Sequence, residues 1–200
     1  VGLKYEPTSF DALFTLAYFD ITQEDVVSQI NPNQRYQTGE VQSKGVEFEA
    51  KVALTSQTNA IANFTFTDAE VTKSVVNDLG DAPIAIPDMT ASLWLDHEFD
   101  RGLINGLTVG GGVRYVGETV GGYSPNAANA SARRIDVPGY TLFDAMLRYD
   151  LGVLGNNLEN VSAQLNVTNL ADETYATCLA NNFCNYGNGR TVYVSLKYAW

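Results

Sequence analysis

Val46-Glu47-Phe48-Glu49-Ala50-Lys51-Val52-Ala53-Leu54 sets Val46, Phe48, Ala50, Val52 and Leu54 in one apolar row, with Glu47, Glu49 and Lys51 between them. Successive side chains of an extended strand point to opposite faces, so this stretch has one apolar and one charged face. The same two-residue period recurs outward in both directions. Upstream, Ala12, Phe14, Leu16 and Tyr18, led by Phe10, oppose Asp11 and Thr15. Downstream, Ala60, Ala62, Phe64 and Phe66 alternate with Asn63, Thr65 and Thr67. Rows then follow at 91–95, 107–115, 143–149, 161–167 and 192–200, with Arg114, Asp144 and Arg148 on polar faces. The spacing predicts about eight strands plus the tail of another at 1–5, and helical periodicity is hard to find.

The connections alternate in length. Short ones are expected at 6–8, 56–58, 100–105 and 151–157. Long ones, rich in Asn, Gly, Pro, Ser and Asp, are expected near 22–44, 71–87, 118–138 and 171–188. A bacterial outer-membrane barrel has this asymmetry, because its periplasmic turns are short and its extracellular loops long. Parity then puts the C-terminus on the periplasmic side. Aromatic residues near the strand ends (Phe10, Tyr18, Phe99, Tyr115, Tyr149, Tyr198 and Trp200) suit two interfacial girdles. A soluble sandwich shares the alternation and is the alternative that alternation alone leaves open.

Composition narrows the function classes. The chain is 45% hydrophobic, yet no apolar run approaches the ~20 residues of a spanning helix. Its net charge of −11 and lack of basic clusters argue against nucleic-acid binding, which needs cations to neutralise phosphates. Val1 opens directly into an alternating stretch with no signal peptide before it, so a fragment of a longer protein is expected. No nucleophile-base pair is visible, and an enzyme is not expected. His97 is the only histidine and lies on a different strand from Cys178 and Cys184, with no third or fourth ligand nearby in sequence, so a metal centre is not expected. Gly110-Gly111-Gly112 falls inside a strand, so it reads as strand flexibility or as close packing of whatever fills the lumen, not as a phosphate loop. The Asn-Xaa-Ser/Thr matches at Asn63, Asn129, Asn160 and Asn166 are of the number chance supplies.

Leu165-Asn166-Val167-Thr168-Asn169-Leu170-Ala171-Asp172-Glu173-Thr174-Tyr175 resembles the penultimate strand of the TonB-dependent outer-membrane receptors. Gly189-Arg190-Thr191-Val192, leading into a strand with an aromatic end, is similar to the close of that family. Gly45 to Glu49, Asn63 to Ala69 and Pro87 to Trp94 are similar to its mid-barrel strands. The resemblance implies an all-β, antiparallel, up-and-down transmembrane barrel, of which residues 1–200 are about the last nine of about 22 strands. The N-terminal plug domain is not present in these residues. It further implies import of a ferric siderophore, with no covalently bound cofactor, energised through the TonB-ExbB-ExbD complex by way of the missing N-terminal region. Haem, cobalamin or a glycan as the solute, and a passive porin, are the alternatives.

Within the family the chain resembles the ferrichrome and hydroxamate type, some of which carry a short-range disulfide in the last long loop. Here Cys178 and Cys184 occupy that loop, facing an oxidising compartment where they should pair. So small a ring is worth roughly 2–3 kcal/mol at most, and its expected role is to hold the loop in one shape. The ferrichrome type has an aromatic directly after the first cysteine. This chain has Leu179 there, and Phe183 just before the second. Tyr123, Phe183 and Tyr186 are the candidate ligand-binding aromatics. Glu47, Glu49, Lys51, Arg114, Asp144 and Arg148 are the candidate plug-facing residues of a wet lumen. Arg133-Arg134 is a candidate for an anionic ligand or lipopolysaccharide phosphates. Tyr198 and Trp200 resemble the terminal signal read by barrel-assembly machinery, and their strand should pair with the parent barrel's first.

Overall fold

The computed structural model describes residues 1–31, 34–75, 79–123, 134–180 and 183–199. Thirteen strands are present among them: β1 (Gly2–Tyr5), β2 (Ala12–Asn31), β3 (Gln34–Ala53), β4 (Thr58–Lys73), β5 (Met89–Phe99), β6 (Leu107–Val116), β7 (Thr119–Tyr123), β8 (Arg134–Val137), β9 (Tyr140–Asp150), β10 (Val161–Thr168), β11 (Ala176–Ala180), β12 (Phe183–Tyr186) and β13 (Thr191–Tyr198). Nine of these form one antiparallel sheet in the order β1-β2-β3-β4-β5-β6-β9-β10-β13. The order is a simple meander, as short periodic strands joined end to end require. The pairs β7-β8 and β11-β12 are separate hairpins inserted in long loops. No helix among the described residues is long and apolar enough to cross a membrane, which says nothing of strands.

Register carries the alternation across the sheet. Leu3, Leu16, Phe48, Phe64, Ala91 and Tyr115 lie opposite one another in turn, forming a continuous apolar band. One residue further along, Thr15, Glu49, Asn63, Ser92 and Arg114 form the matching polar band on the other face. Leu16, Phe48, Phe64 and Leu93 are substantially exposed, as side chains on a lipid-facing wall must be. A single sheet has no second layer to bury either face. Most of the deeply buried residues (Val120, Val137, Leu142, Cys178 and Asn169) sit instead at the long-loop end.

Two expectations about the connections need correction. The stretch 22–44 is not a loop: β2 and β3 stay paired as far as Asn31 and Gln34, with bulges between Gln23 and Val27 and before Asn31. Beyond the bilayer both faces of a hairpin meet water, so no apolar row marks it as a strand. The loops at 118–138 and 171–188 likewise contain β7-β8 and β11-β12. The short turns lie where expected, although β2 starts only at Ala12, which leaves Phe10 exposed in the turn. Two turns contain 3₁₀ segments at Gly102–Ile104 and Leu151–Leu154; in the latter the Asp150 carboxylate accepts the Gly152 N–H at 2.9 Å. Trp200 lies outside the described residues, as do Arg133 and Asn129.

Candidate functional site

Three long loops meet at one end of the sheet. In the first, Ala85 N–H donates to the Val120 carbonyl at 2.9 Å, and Ile84 bridges Val120 in parallel. The Tyr123 hydroxyl adds a bond to the Ala82 carbonyl at 2.5 Å. The 82–85 segment is thereby fastened along β7. Ala85 has φ +65, a left-handed conformation that costs a residue with a Cβ, and the bond to Val120 helps to hold it there.

The hairpin β7-β8 is closed by Arg134, which ion-pairs with Glu118 at 3.0 Å and with Asp136 on its own strand. Partial burial works against the Arg134 charge. The hydrogen bond to Asp136 and the charges of Asp136 and Glu118 outweigh it, holding the guanidinium above its usual range. The register shifts between Val120 and Gly122, leaving Gly121 as the residue that faces the third loop.

In that third loop Cys178 and Cys184 stand opposite each other across β11-β12 and form a disulfide. Its sulfurs lie over Gly121. A Cβ on Gly121 would come within 2.8 Å of Cys178 Sγ and 2.8 Å of Val137 Cγ2. The bridge therefore does more than shape its own loop, as was expected of it: it forms the contact between the two hairpins.

The base of the third loop is organised by Asn169, which is 2% exposed and has φ +53. Its side chain donates to the carbonyls of Glu173 (2.9 Å) and Asn188 (3.1 Å) and accepts the Glu173 N–H (2.8 Å). Asp172, at φ +57, accepts the Arg190 N–H at 2.7 Å. The Tyr175 ring packs on Tyr140 at 4.1 Å and lies against Gly187, where no side chain could stand.

The six predicted lumen charges share one face of the sheet. Arg114 and Asp144 form a two-point pair, Nε to Oδ2 at 2.6 Å and the second nitrogen to Oδ1 at 3.1 Å. Arg148 donates to Thr108 at 3.2 Å and lies 3.7 Å from Glu98. Lys51 pairs with Glu49 at 2.8 Å, whereas Glu47 makes no ion pair among the described residues. On the same face Trp94 lies across Gly110 and Gly112, where a Cβ would meet its ring at 2.6 and 2.5 Å. The glycines are thus a seat for the chain's own tryptophan. His97 is engaged by Thr58 at 2.8 Å and by the edge of Phe99.

The three candidate ligand aromatics are not gathered at one point. Tyr123 is half-buried and tied to Ala82, whereas Phe183 and Tyr186 are 61% and 81% exposed. Strand alternation places the latter two on opposite faces of β12. Sequence reasoning missed Gly121, Trp94, Tyr140 and the roles of Asn169, Asp172 and Tyr175. The pair Asn169 and Asp172 carried a usable signal, since Asn and Asp are the side-chain-bearing residues that most readily adopt positive φ.

Residues 1–170 match the family model described as TonB dependent receptor-like, beta-barrel. The chain belongs to the TonB-dependent receptor family. Its members are outer-membrane receptors and transporters, not enzymes. The chain is 36% identical over 201 residues to the ferrioxamine B receptor of Salmonella typhimurium, covering all of this chain and 27% of that protein. It is also 36% identical over 196 residues to the ferrichrome outer membrane transporter/phage receptor of Escherichia coli, covering 96% of this chain and 25% of the relative. In structure it matches the siderophore receptor PiuA from Acinetobacter baumannii with a TM-score of 0.75 and 26% identity, over 98% of this chain and 27% of that one. The chain thus spans about a quarter of the length of these TonB-dependent receptors.

Proposed function

We propose that these residues form the C-terminal part of the barrel of a receptor that imports a ferric siderophore of the hydroxamate class. The observation that carries this reading is similarity along the whole chain, at 36% identity, to receptors named for ferrioxamine B and for ferrichrome. In this reading an N-terminal plug fills a barrel of about 22 strands and contacts Glu47, Glu49, Lys51, Arg114, Asp144 and Arg148 through hydrogen bonds and water. Of the three candidate aromatics, the exposed Phe183 and Tyr186 are offered to the apolar framework of the chelate, whereas Tyr123 is held by Ala82. The TonB-ExbB-ExbD complex supplies energy through the plug region; Arg133-Arg134 remains a candidate for an anionic ligand or lipopolysaccharide phosphate, with Arg134 already paired to Glu118 and Asp136. Tyr198 and Trp200 serve recognition by the assembly machinery.

The test is growth of an iron-starved strain whose only siderophore receptor is the full-length protein, supplied in turn with purified ferric hydroxamate, catecholate and carboxylate chelates. Rescue by a hydroxamate, dependent on TonB, is expected. Rescue by none of the chelates overturns the siderophore reading. An open pore in planar bilayers would turn the assignment to a passive porin.

A further inference from the structure

One side chain, that of Asp144, links the polar face of the sheet to the base of the third loop, beside the Leu170 N–H bond to the Phe143 carbonyl at 2.7 Å and the Tyr140–Tyr175 ring contact. Asp144 holds Arg114 with both oxygens, and its Oδ1 also accepts the backbone N–H of Asn169 at 2.9 Å. Asn169 in turn carries Glu173 and Asn188 on its side chain, so the chain of bonds runs from Arg114 into the base of the disulfide-bearing loop. The two partners differ in exposure: the Arg114 side chain is 49% exposed on the polar face, whereas that of Asp144 is only 14% exposed. A charge-assisted, two-point pair fixes carboxylate orientation more firmly than a single neutral bond would. The orientation it fixes is the one that meets Asn169.

We infer that Arg114 is a positioning residue for the loop 169–190: by orienting Asp144 it sets the Asn169 hub from inside the barrel. An acidic side chain arriving in the lumen competes with Asp144 for the exposed guanidinium and slackens the hub. That consequence for uptake rests on the receptor reading above. The coupling itself does not, because it is measured without any ligand, and the two can fail separately.

The experiment is amide hydrogen exchange on the full-length receptor, comparing the Asn169 and Glu173 amides with those of the β4-β5 ladder. Arg114→Gln should speed exchange at Asn169 and Glu173 roughly tenfold, the loss of one charge-assisted bond, with β4-β5 unchanged. Asp144→Asn, which keeps an acceptor for Asn169, should give a smaller rise. The exchanged pair Arg114→Asp with Asp144→Arg restores opposite charges, but an arginine has no acceptor for the Asn169 N–H. It should therefore leave the hub unprotected. Unchanged exchange in Arg114→Gln overturns the proposal. So does an equal rise throughout the barrel, or full protection in the exchanged pair, since either would reduce Arg114 to a general wall contact.

Discussion

The Cys178 sulfur faces the bare α-carbon of Gly121, so closely that a methyl group on the glycine would stand 2.8 Å from it. Gly121→Val should force the two hairpins apart at a cost of about 1–3 kcal/mol, the usual penalty of overpacking. Limited proteolysis of the intact receptor checks this: cleavage should increase within both 119–137 and 176–186, while the barrel strands stay resistant. Increased cleavage in one hairpin alone would show that the hairpins are independent.

Removing the bridge should act on both loops as well. The double substitution Cys178→Ser with Cys184→Ser should cost no more than about 2–3 kcal/mol, given the small ring it closes. Hydrogen exchange should rise at Val120 and Val137 as well as within β11-β12. A rise confined to 176–186 would contradict the packing described.

Asn169→Ala removes a buried side chain that makes three hydrogen bonds and replaces it with a residue less tolerant of positive φ. The expected loss is about 2–4 kcal/mol of local stability. Asn169→Asp keeps the acceptor for Glu173 but sets a carboxylate against two carbonyls, so it should not rescue. Protection of the Glu173 amide is the readout, and full protection in Asn169→Asp would refute the donor role.

Gly112→Val should displace the Trp94 ring from its seat on β6, costing about 1–3 kcal/mol. The difference in emission between the full-length receptor and its Trp94→Phe variant isolates the Trp94 signal, which should shift to longer wavelength when Gly112→Val turns the ring toward water. An unaltered spectrum would mean that the glycines are not needed for the seat.

The ion pair between Lys51 and Glu49 offers a contrast. Both side chains are about half exposed, 55% and 41%, so solvent screens them. Glu49→Gln should change barrel stability by less than about 1 kcal/mol, measured as the midpoint of unfolding of the whole receptor. A larger loss would point to a contact these residues make elsewhere in the parent protein.

Much of this was legible beforehand because lipid and water write a two-residue period onto each strand. Phe48 between Glu47 and Glu49 reads as a wall residue without any structure. The same logic fails at 22–44, where β2 and β3 stay paired although no apolar row marks the strands, and the sequence looked like a loop. Gly121 and Gly112 were obscure for another reason. What fixes them is a neighbour distant in sequence, Cys178 for one and Trp94 for the other. The six candidate plug-facing charges could be assigned to a face, yet nothing local distinguished Arg114, tied through Asp144 to Asn169, from Glu47, which has no ion partner among the described residues.

The two strands of the β2-β3 hairpin run 20 residues each, about 66 Å of extended chain, roughly twice the thickness of the hydrocarbon layer. Even when tilted, they rise well clear of the lipid on one side of the opening. To a large particle approaching from the medium, this ridge is a surface within reach. An antibody raised against the intact cell should therefore find an epitope along the outer part of this hairpin.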